Sequence, residues 1–288
     1  MSETVTINLD EHTPGSVLPV EEGFADDYEN DVVSGSNLAK QLDVVIVGMA
    51  RNIGPILPHT IRRLEVIGER FNSWRAVVVE NDSEDDTKDV LRGWAEARPG
   101  QVIADCRDLG REHLHGFERA RVERYAEYRN RYREIAANTW PTAELTLAVD
   151  MDPWGGFSTD GIMSSVAWIN RLPRAAAMAS TSLFLAKTAD GGTTWAHYDQ
   201  WAFRQWSTAV RFDPYFLQWL PPVGVPPIRV VSAFGACCLY RNSDFYECPY
   251  ESTDGDIEHV GLHKHIAERG GEIYLNPASR VVMHWLQT

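Results

Sequence analysis

Between Leu42 and Val149 four short apolar runs alternate with segments of helical periodicity, and this alternation limits the possible folds more than any other feature of the chain. Leu42 to Val47 is a β-branched run ending at Gly48, the pattern of a strand covered on both faces. Pro58 suits a first helical turn, and Ile61, Leu64 and Ile67 then recur at helical spacing before Gly68. A second strand is expected over Arg75 to Val79, a helix with Val90, Leu91 and Trp94 on its apolar side follows, and Gln101 to Asp105 reads as a third strand. The segment from Phe117 to Asn138 carries Tyr125, Tyr128, Tyr132 and Ile135 at helical spacing, and Leu145 to Val149 makes the fourth strand. Strands that alternate with helices predict an α/β fold, a mostly parallel central sheet flanked by helices, with ligands at the carboxyl ends of the strands.

Beyond Asp160 the pattern is less regular. A helix is expected over about Gly161 to Asn170, an apolar stretch over Ala175 to Ala186, and a Trp-rich segment from Trp195 to Trp219. A proline loop from Pro221 to Pro227 precedes a strand over Arg229 to Tyr240, a helix from Asp256 to Arg269 ended by Gly270-Gly271, and closing strands at Glu272 to Leu275 and Val281 to Met283. Residues 1–39 hold nine acidic side chains and no Lys or Arg, which predicts an extended or disordered tail ahead of a domain over 40–288.

The net charge of −14 argues against coating nucleic acid. No run of about 18 apolar residues is present and the N-terminus is acidic, so neither a spanning helix nor a signal peptide is expected, and the reading is cytosolic. The four cysteines form no metal or disulfide pattern and read as reduced thiols.

The most informative polar cluster is Asp150-Met151-Asp152 at the end of the fourth strand. Side chains two apart on an extended chain share a side, and paired carboxylates repel unless protons or a hard cation neutralise them. Two solvated aspartates in a turn, helped by Pro153 and Gly155-Gly156, are the other reading. Arg51-Asn52 after the first strand and Glu80-Asn81-Asp82-Ser83 after the second fall beside the same predicted crevice, where a carboxylate can hold ribose hydroxyls and an amide can read a base. Asn, Asp and Ser also cap helices, and Ser83-x-x-Asp86 resembles a capping box.

An arginine-rich stretch from Arg107 to Arg133 is interleaved with glutamates, as on a salt-bridged helix, yet Arg129-Asn130 lies beside the tyrosine stripe, where an arginine can grip a phosphate. Glu258 opens a predicted helix, as a general base at the mouth of a pocket or as a first-turn carboxylate favoured by the helix dipole. His259 and His263 stand four apart, but the His-Glu-x-x-His order of zinc hydrolases is absent. His284 near the chain end gains meaning only if it meets the aspartates.

Together these segments resemble nucleotide-sugar-dependent glycosyltransferases of the GT-A fold, in particular the capsule-associated α-1,3-mannosyltransferase family. The resemblance runs from Leu42 to Trp285. It rests on Met49-Ala50-Arg51-Asn52, Glu80-Asn81-Asp82-Ser83-Glu84-Asp85-Asp86-Thr87, Arg129-Asn130, Asp150-Met151-Asp152 and Tyr198-Asp199-Gln200-Trp201-Ala202-Phe203-Arg204. It implies a donor, a GDP- or UDP-sugar, held by Ala50, Arg51, Asn52, Glu80, Asn81 and Arg129, with Asp150 reaching the ribose or the metal. It also implies Mn²⁺ or Mg²⁺ on Asp150, Asp152 and His284, with Asp199 and Trp201 facing the sugar or acceptor. Residues 40–152 would then be a nucleotide-binding half and 153–288 an acceptor-binding half. Trp195, Trp201, Trp206 and Trp219 are candidates for stacking on sugars or for the core. In many inverting relatives of this fold an acidic pair supplies the base where this chain has Glu258-His259, and the mannosyltransferase likeness favours retention.

The expected activity is transfer of a hexose, with mannose the first candidate, to a saccharide or protein hydroxyl; the oligomeric state is left open. Two rivals remain at this point. A nucleotidyltransferase would release pyrophosphate and use a glycine-rich loop with Lys or Arg, whereas Gly48 to Gly54 holds two glycines and no Lys. A non-catalytic sugar-binding or assembly protein would keep the fold alone.

Overall fold

The computed structural model describes residues 19–114, 116, 118–205, 214–252 and 256–284. A 3-10 turn (Glu22–Phe24) leads into α1 (Ala25–Ala39), and the expected alternation follows: β1 (Asp43–Ala50), α2 (Leu57–Gly68), β2 (Ser73–Asn81), α3 (Thr87–Ala97), β3 (Val102–Arg107), α4 (Arg119–Thr139) and β4 (Leu145–Asp150). The second half adds β5 (Gly156–Phe157), α5 (Thr159–Arg171), β6 (Ala175–Lys187), β7 (Thr193–His197) and α6 (Pro214–Gln218). It closes with β8 (Ile228–Val230), β9 (Cys237–Arg241), α7 (Asn242–Phe245), α8 (Glu258–Glu268) and β10 (Glu272–His284).

All strands join one sheet in the order β3-β2-β1-β4-β9-β6-β10-β5, with β7 beside β6 and β8 beside β10. The first four are parallel, as expected for strands linked by crossover helices. After β4 the sheet mixes: β9 runs antiparallel to β4 and β6, and β10 is parallel to β6. Alternation along each strand supplies two cores. Val44, Ile46 and Val78 meet Leu64, Ile67, Leu91 and Ile162 on one face. Val45, Val47, Val77 and Val79 meet Tyr132, Ala136, Leu262 and Ile266 on the other. Among the described residues no helix is long and apolar enough to cross a membrane, and the four cysteines are free.

The acidic segment departs from expectation. Residues 25–39 form a helix that packs along α5 instead of an extended tail; residues 1–18 lie outside the described residues. Its charges sit on the solvent face, except for the buried Asp31, which pairs with Arg171 at 2.6 Å. Ala39 enters the core, with Val32 and Leu38 packed against it. Two further expectations are corrected. Arg229 to Tyr240 is not one strand but β8 and β9, separated by a turn in which Gly235 and Ala236 take φ of 62° and 59°. The two closing strands are one, β10, whose register against β6 slips between Asn276 and Arg280.

A candidate active site at the strand ends

The parallel strands bring Ala50, Glu80 and Asp150 to one edge, where Ala50 lies beside Glu80 and Met49 beside Asp150. The Glu80 to Thr87 string builds the floor of this edge. Ser83 Oγ accepts the Asn52 amide (3.0 Å), Thr87 Oγ1 that of Ile53 (2.9 Å) and Asp85 Oδ2 that of Gly54 (2.9 Å). Asn52 Oδ1 accepts the Glu84 amide in return at 2.8 Å. The expected capping box is absent: Asp86 is the N-cap residue and makes no side-chain cap, because Ser83 is spent on the neighbouring loop. Glu80 is fully buried, with Oε1 accepting the Ser83 amide at 2.7 Å. Asp82 Oδ1 accepts the amides of Leu109 and Gly110, fixing the loop after β3. Burial pushes its carboxyl up, but the bonds from Asn81 and these amides win and hold it below the usual value. Arg51 reaches across to the Arg111 carbonyl at 3.0 Å.

At the end of β4 the Asp150 amide donates to the Ala236 carbonyl at 2.9 Å, while Met151 drops into the core against Gly48. A Cβ on Gly48 would come within 2.8 Å of that Met side chain. The alternation therefore leaves Asp150 and Asp152 on the open side. Arg63, 1% exposed, donates to the carbonyls of Pro153 (3.1 Å) and Trp154 (3.0 Å). The Trp154 and Gly155 amides donate to Met283 and Val282 carbonyls, each at 2.9 Å. These bonds hold the backbone at 282–283, next to 284, against the chain just past Asp152. The side chain of His284 lies outside the described residues, as does Trp206.

Behind the aspartates, Arg129 is 4% exposed. It donates to Glu258 at 2.9 Å, Tyr132 at 3.2 Å and Asp150 at 3.4 Å, and lies 5.0 Å from the Phe234 ring centroid. Glu258, expected at the mouth of a pocket, is itself 4% exposed, because Arg129 draws it inward. Burial raises the Glu258 and Asp150 carboxyls above their ordinary values, with Arg129 pulling both the other way. Asp152 is pushed up to about 6 by desolvation and by the charge of Asp150. His259 stacks on Phe234 at 3.9 Å, and His263 is bonded to Ser232 and Tyr240, so both are core rings.

Asp199 is bound by backbone on both oxygens. Oδ1 accepts the Ala202 amide (3.2 Å) and Oδ2 the Gly235 amide (2.9 Å), so it ties the Trp201 loop to the turn that holds Asp150. Burial nevertheless raises its carboxyl. Trp201 lies under Arg121, whose guanidinium is 5.2 Å from the ring centroid and whose charge lowers the Asp150 carboxyl. Trp195 packs on the Leu183–Val282 cluster, and Trp219 on Phe203 and Phe216. Among the described residues, the non-glycine positions with positive φ, Asn52, Asp82 and Ala236, stand around this edge. Trp154 and the Phe234 to Ala236 turn were not singled out by sequence patterns, and Arg121 stood only as one member of the arginine-rich stretch; the turn's only signal was Gly235 inside an expected strand.

The site offers two hard carboxylate donors that burden each other, a donor set suited to Mg²⁺ or Mn²⁺. Among the described residues no group of three or more His, Cys, Asp and Glu is assembled to hold a metal. The mixed central sheet with flanking helices is that of the GT-A fold. Among solved structures the chain is similar to GalNAc-T7, with UDP, GalNAc and Mn²⁺, at a TM-score of 0.52 and 15% identity over 96% of this chain and 55% of that one. It is also similar to the mannosyltransferase PcManGT from Pyrobaculum calidifontis, in complex with GDP-Man and Mn²⁺, at 0.50 and 14% over 90% of this chain and 66% of that one. At such identities what is shared is the fold, and this chain spans less than two thirds of either protein. No family model and no curated protein matches the sequence.

Proposed function

We propose that this chain is a metal-dependent glycosyltransferase that moves a hexose, with mannose the first candidate, from a GDP- or UDP-linked donor to a saccharide or protein hydroxyl. The observation that supports the reading is the pair of hydrogen bonds from the Trp154 and Gly155 amides to the Met283 and Val282 carbonyls, which ties the backbone just before His284 to the chain just after Asp152. Asp150, Asp152 and His284 would hold Mn²⁺ or Mg²⁺. Such an ion, when bound, offsets the negative charge that gathers on the departing nucleoside diphosphate. The similar structures, one with UDP, GalNAc and Mn²⁺ and the other in complex with GDP-Man and Mn²⁺, agree with this.

The chain's own residues divide the remaining work. Ala50, Arg51 and Asn52 line the nucleoside side, on a floor that Glu80 and Asn81 fix from below. Arg121 faces the diphosphate, its Nε buried with no hydrogen-bond partner among the described residues. Arg129 acts through Asp150 and Glu258 rather than on the donor. Glu258, turned inward onto a guanidinium, is poorly placed to take a proton from an acceptor, which favours retention over inversion. Asp199 sets the Trp201 loop against the sugar.

The test is nucleotide release from GDP-mannose, UDP-glucose, UDP-N-acetylglucosamine and UDP-N-acetylgalactosamine with Mn²⁺, together with donor-dependent thermal stabilisation. The expected result is that Asp152→Asn loses turnover and the Mn²⁺-dependent part of the stabilisation together. Full activity in Asp152→Asn sinks the metal assignment, and pyrophosphate release from a nucleoside triphosphate would point to nucleotidyl transfer.

A further inference from the structure

The described residues leave two large aromatic side chains exposed, Trp154 at 42% and Tyr198 at 44%. Both flank the aspartate corner. Trp154 is two residues beyond Asp152, and Asp152 acts electrostatically on the Tyr198 hydroxyl. The backbone under Trp154 is fixed from two sides, by the Arg63 guanidinium on its carbonyl and by the Met283 carbonyl on its amide. Gly155 next to it packs so closely that a Cβ would meet Val282 at 2.4 Å. A rigid support that holds an indole in water is the arrangement expected of a contact surface.

The sheet order says what the surface faces. The nucleoside side lies over β1, β2 and β3, whereas Trp154 enters β5 at the opposite end of the sheet, with Asp150 and Asp152 between. Tyr198 follows β7, its amide donates to Ser182 of β6 at 2.8 Å, and its ring meets Phe184 edge to face at 6.0 Å. Phe184 is the register partner of 284 on β10. The two rings therefore arise on either side of the β6–β10 pair, from positions three strand spacings, about 14 Å, apart across the sheet, which leaves room for a saccharide between them. The neighbouring carboxylates oppose an anion and suit a neutral polyol.

We propose that Trp154 is the stacking platform for a pyranose ring of the acceptor, with Tyr198, across β10 and β6, bounding the other side of the acceptor site. This rests on the glycosyltransferase reading and adds to it a residue and a substrate class. The test uses the full chain, the donor that passes the assay above, and methyl α-pyranosides of glucose, galactose and mannose as acceptors. Trp154→Ala is expected to raise the acceptor KM on the order of tenfold, the equivalent of one aromatic stacking contact, with a donor KM shift under about twofold. Trp154→Phe is expected to recover most of the loss. An acceptor KM within twofold of wild type in Trp154→Ala, an equal rise in donor KM, or donor turnover with no transfer to any pyranoside overturns the platform alone. No nucleotide release from any donor by the wild-type chain defeats the glycosyltransferase reading and the platform together.

Discussion

One guanidinium, that of Arg129, serves two acids, the buried Glu258 and the half-buried Asp150, and it decides how the site is charged. Glu258 and Asp150 lie on it at 2.9 and 3.4 Å, with Tyr132 and the Phe234 ring closing the remaining sides. Removing one partner of a buried pair leaves the other charge unsolvated, so Arg129→Met is expected to lower the unfolding free energy by about 3–5 kcal/mol, read by urea denaturation. Arg129→Met with Glu258→Gln should regain part of that, because the stranded charge is gone; a double variant no more stable than the single one would contradict the pairing. At this scale the sequence was informative where chemistry depends on local spacing. The Asp150-Met151-Asp152 corner sits at its predicted strand end because alternation fixes both carboxylates. It was misleading where a side chain's use depends on partners far along the chain. Arg129 and Glu258 are 129 residues apart, and their pairing converts an expected phosphate grip and an expected base into one support. Asp199, read as facing the sugar or acceptor, spends its oxygens on backbone amides, and so do Ser83, Asp85 and Thr87 of the string that carried the resemblance, which spacing alone does not reveal.

Among elements, α1 is the clearest case of tertiary packing overriding local composition. Gly35 lets it approach α5 so closely that an added Cβ would stand 1.8 Å from the Met163 carbonyl oxygen. Backbone cannot yield there, so Gly35→Ala should lift the helix and cost about 2 kcal/mol. The loss should appear as faster amide exchange across Ala25–Ala39 and the facing α5, with β1 to β4 protected as before; unchanged exchange in α1 would show the contact to be unimportant. A charge count over residues 1–39 could not find this helix, because its stabilising contacts are Asp31 on Arg171 and a glycine seat on α5. By contrast β1 to β4 and their helices were legible, since strands buried on both faces need continuous β-branched runs and the crossover helices need an apolar stripe. The later strands were less so. β10 keeps one course through a register slip at Asn276 to Arg280, where the hydrophobic pattern breaks and Pro277 suggests an end.

For the molecule as a whole, burial sets a limit in acid. His263 lies in the core with Ser232 Oγ at 2.8 Å from one ring nitrogen and Tyr240 OH at 2.9 Å from the other, and burial depresses its pKa from 6.5 to about 3. His197, against Phe216, is likewise depressed to about 3 by burial. A folded pKa below the unfolded one means that the unfolded chain binds more protons between the two values. The stabilisation is therefore complete above about 6.5 and is lost as pH falls toward about 3, at about 1.4 kcal/mol per pH unit for each ring. The raised carboxyls of Asp150, Asp152, Asp199 and Glu258 act in the opposite sense, because the folded state then binds the extra protons. Wild-type stability alone would mix the two, so the decisive comparison is with His263→Gln, which keeps polar atoms between Ser232 and Tyr240 but cannot titrate. Urea unfolding at intervals from pH 7 to pH 4 should find this variant less stable than wild type at pH 7, with the difference shrinking by about 1.4 kcal/mol for each unit below pH 6. Parallel pH profiles for the two proteins would mean that His263 takes up its proton without unfolding, and that the core around Tyr240 admits a charge.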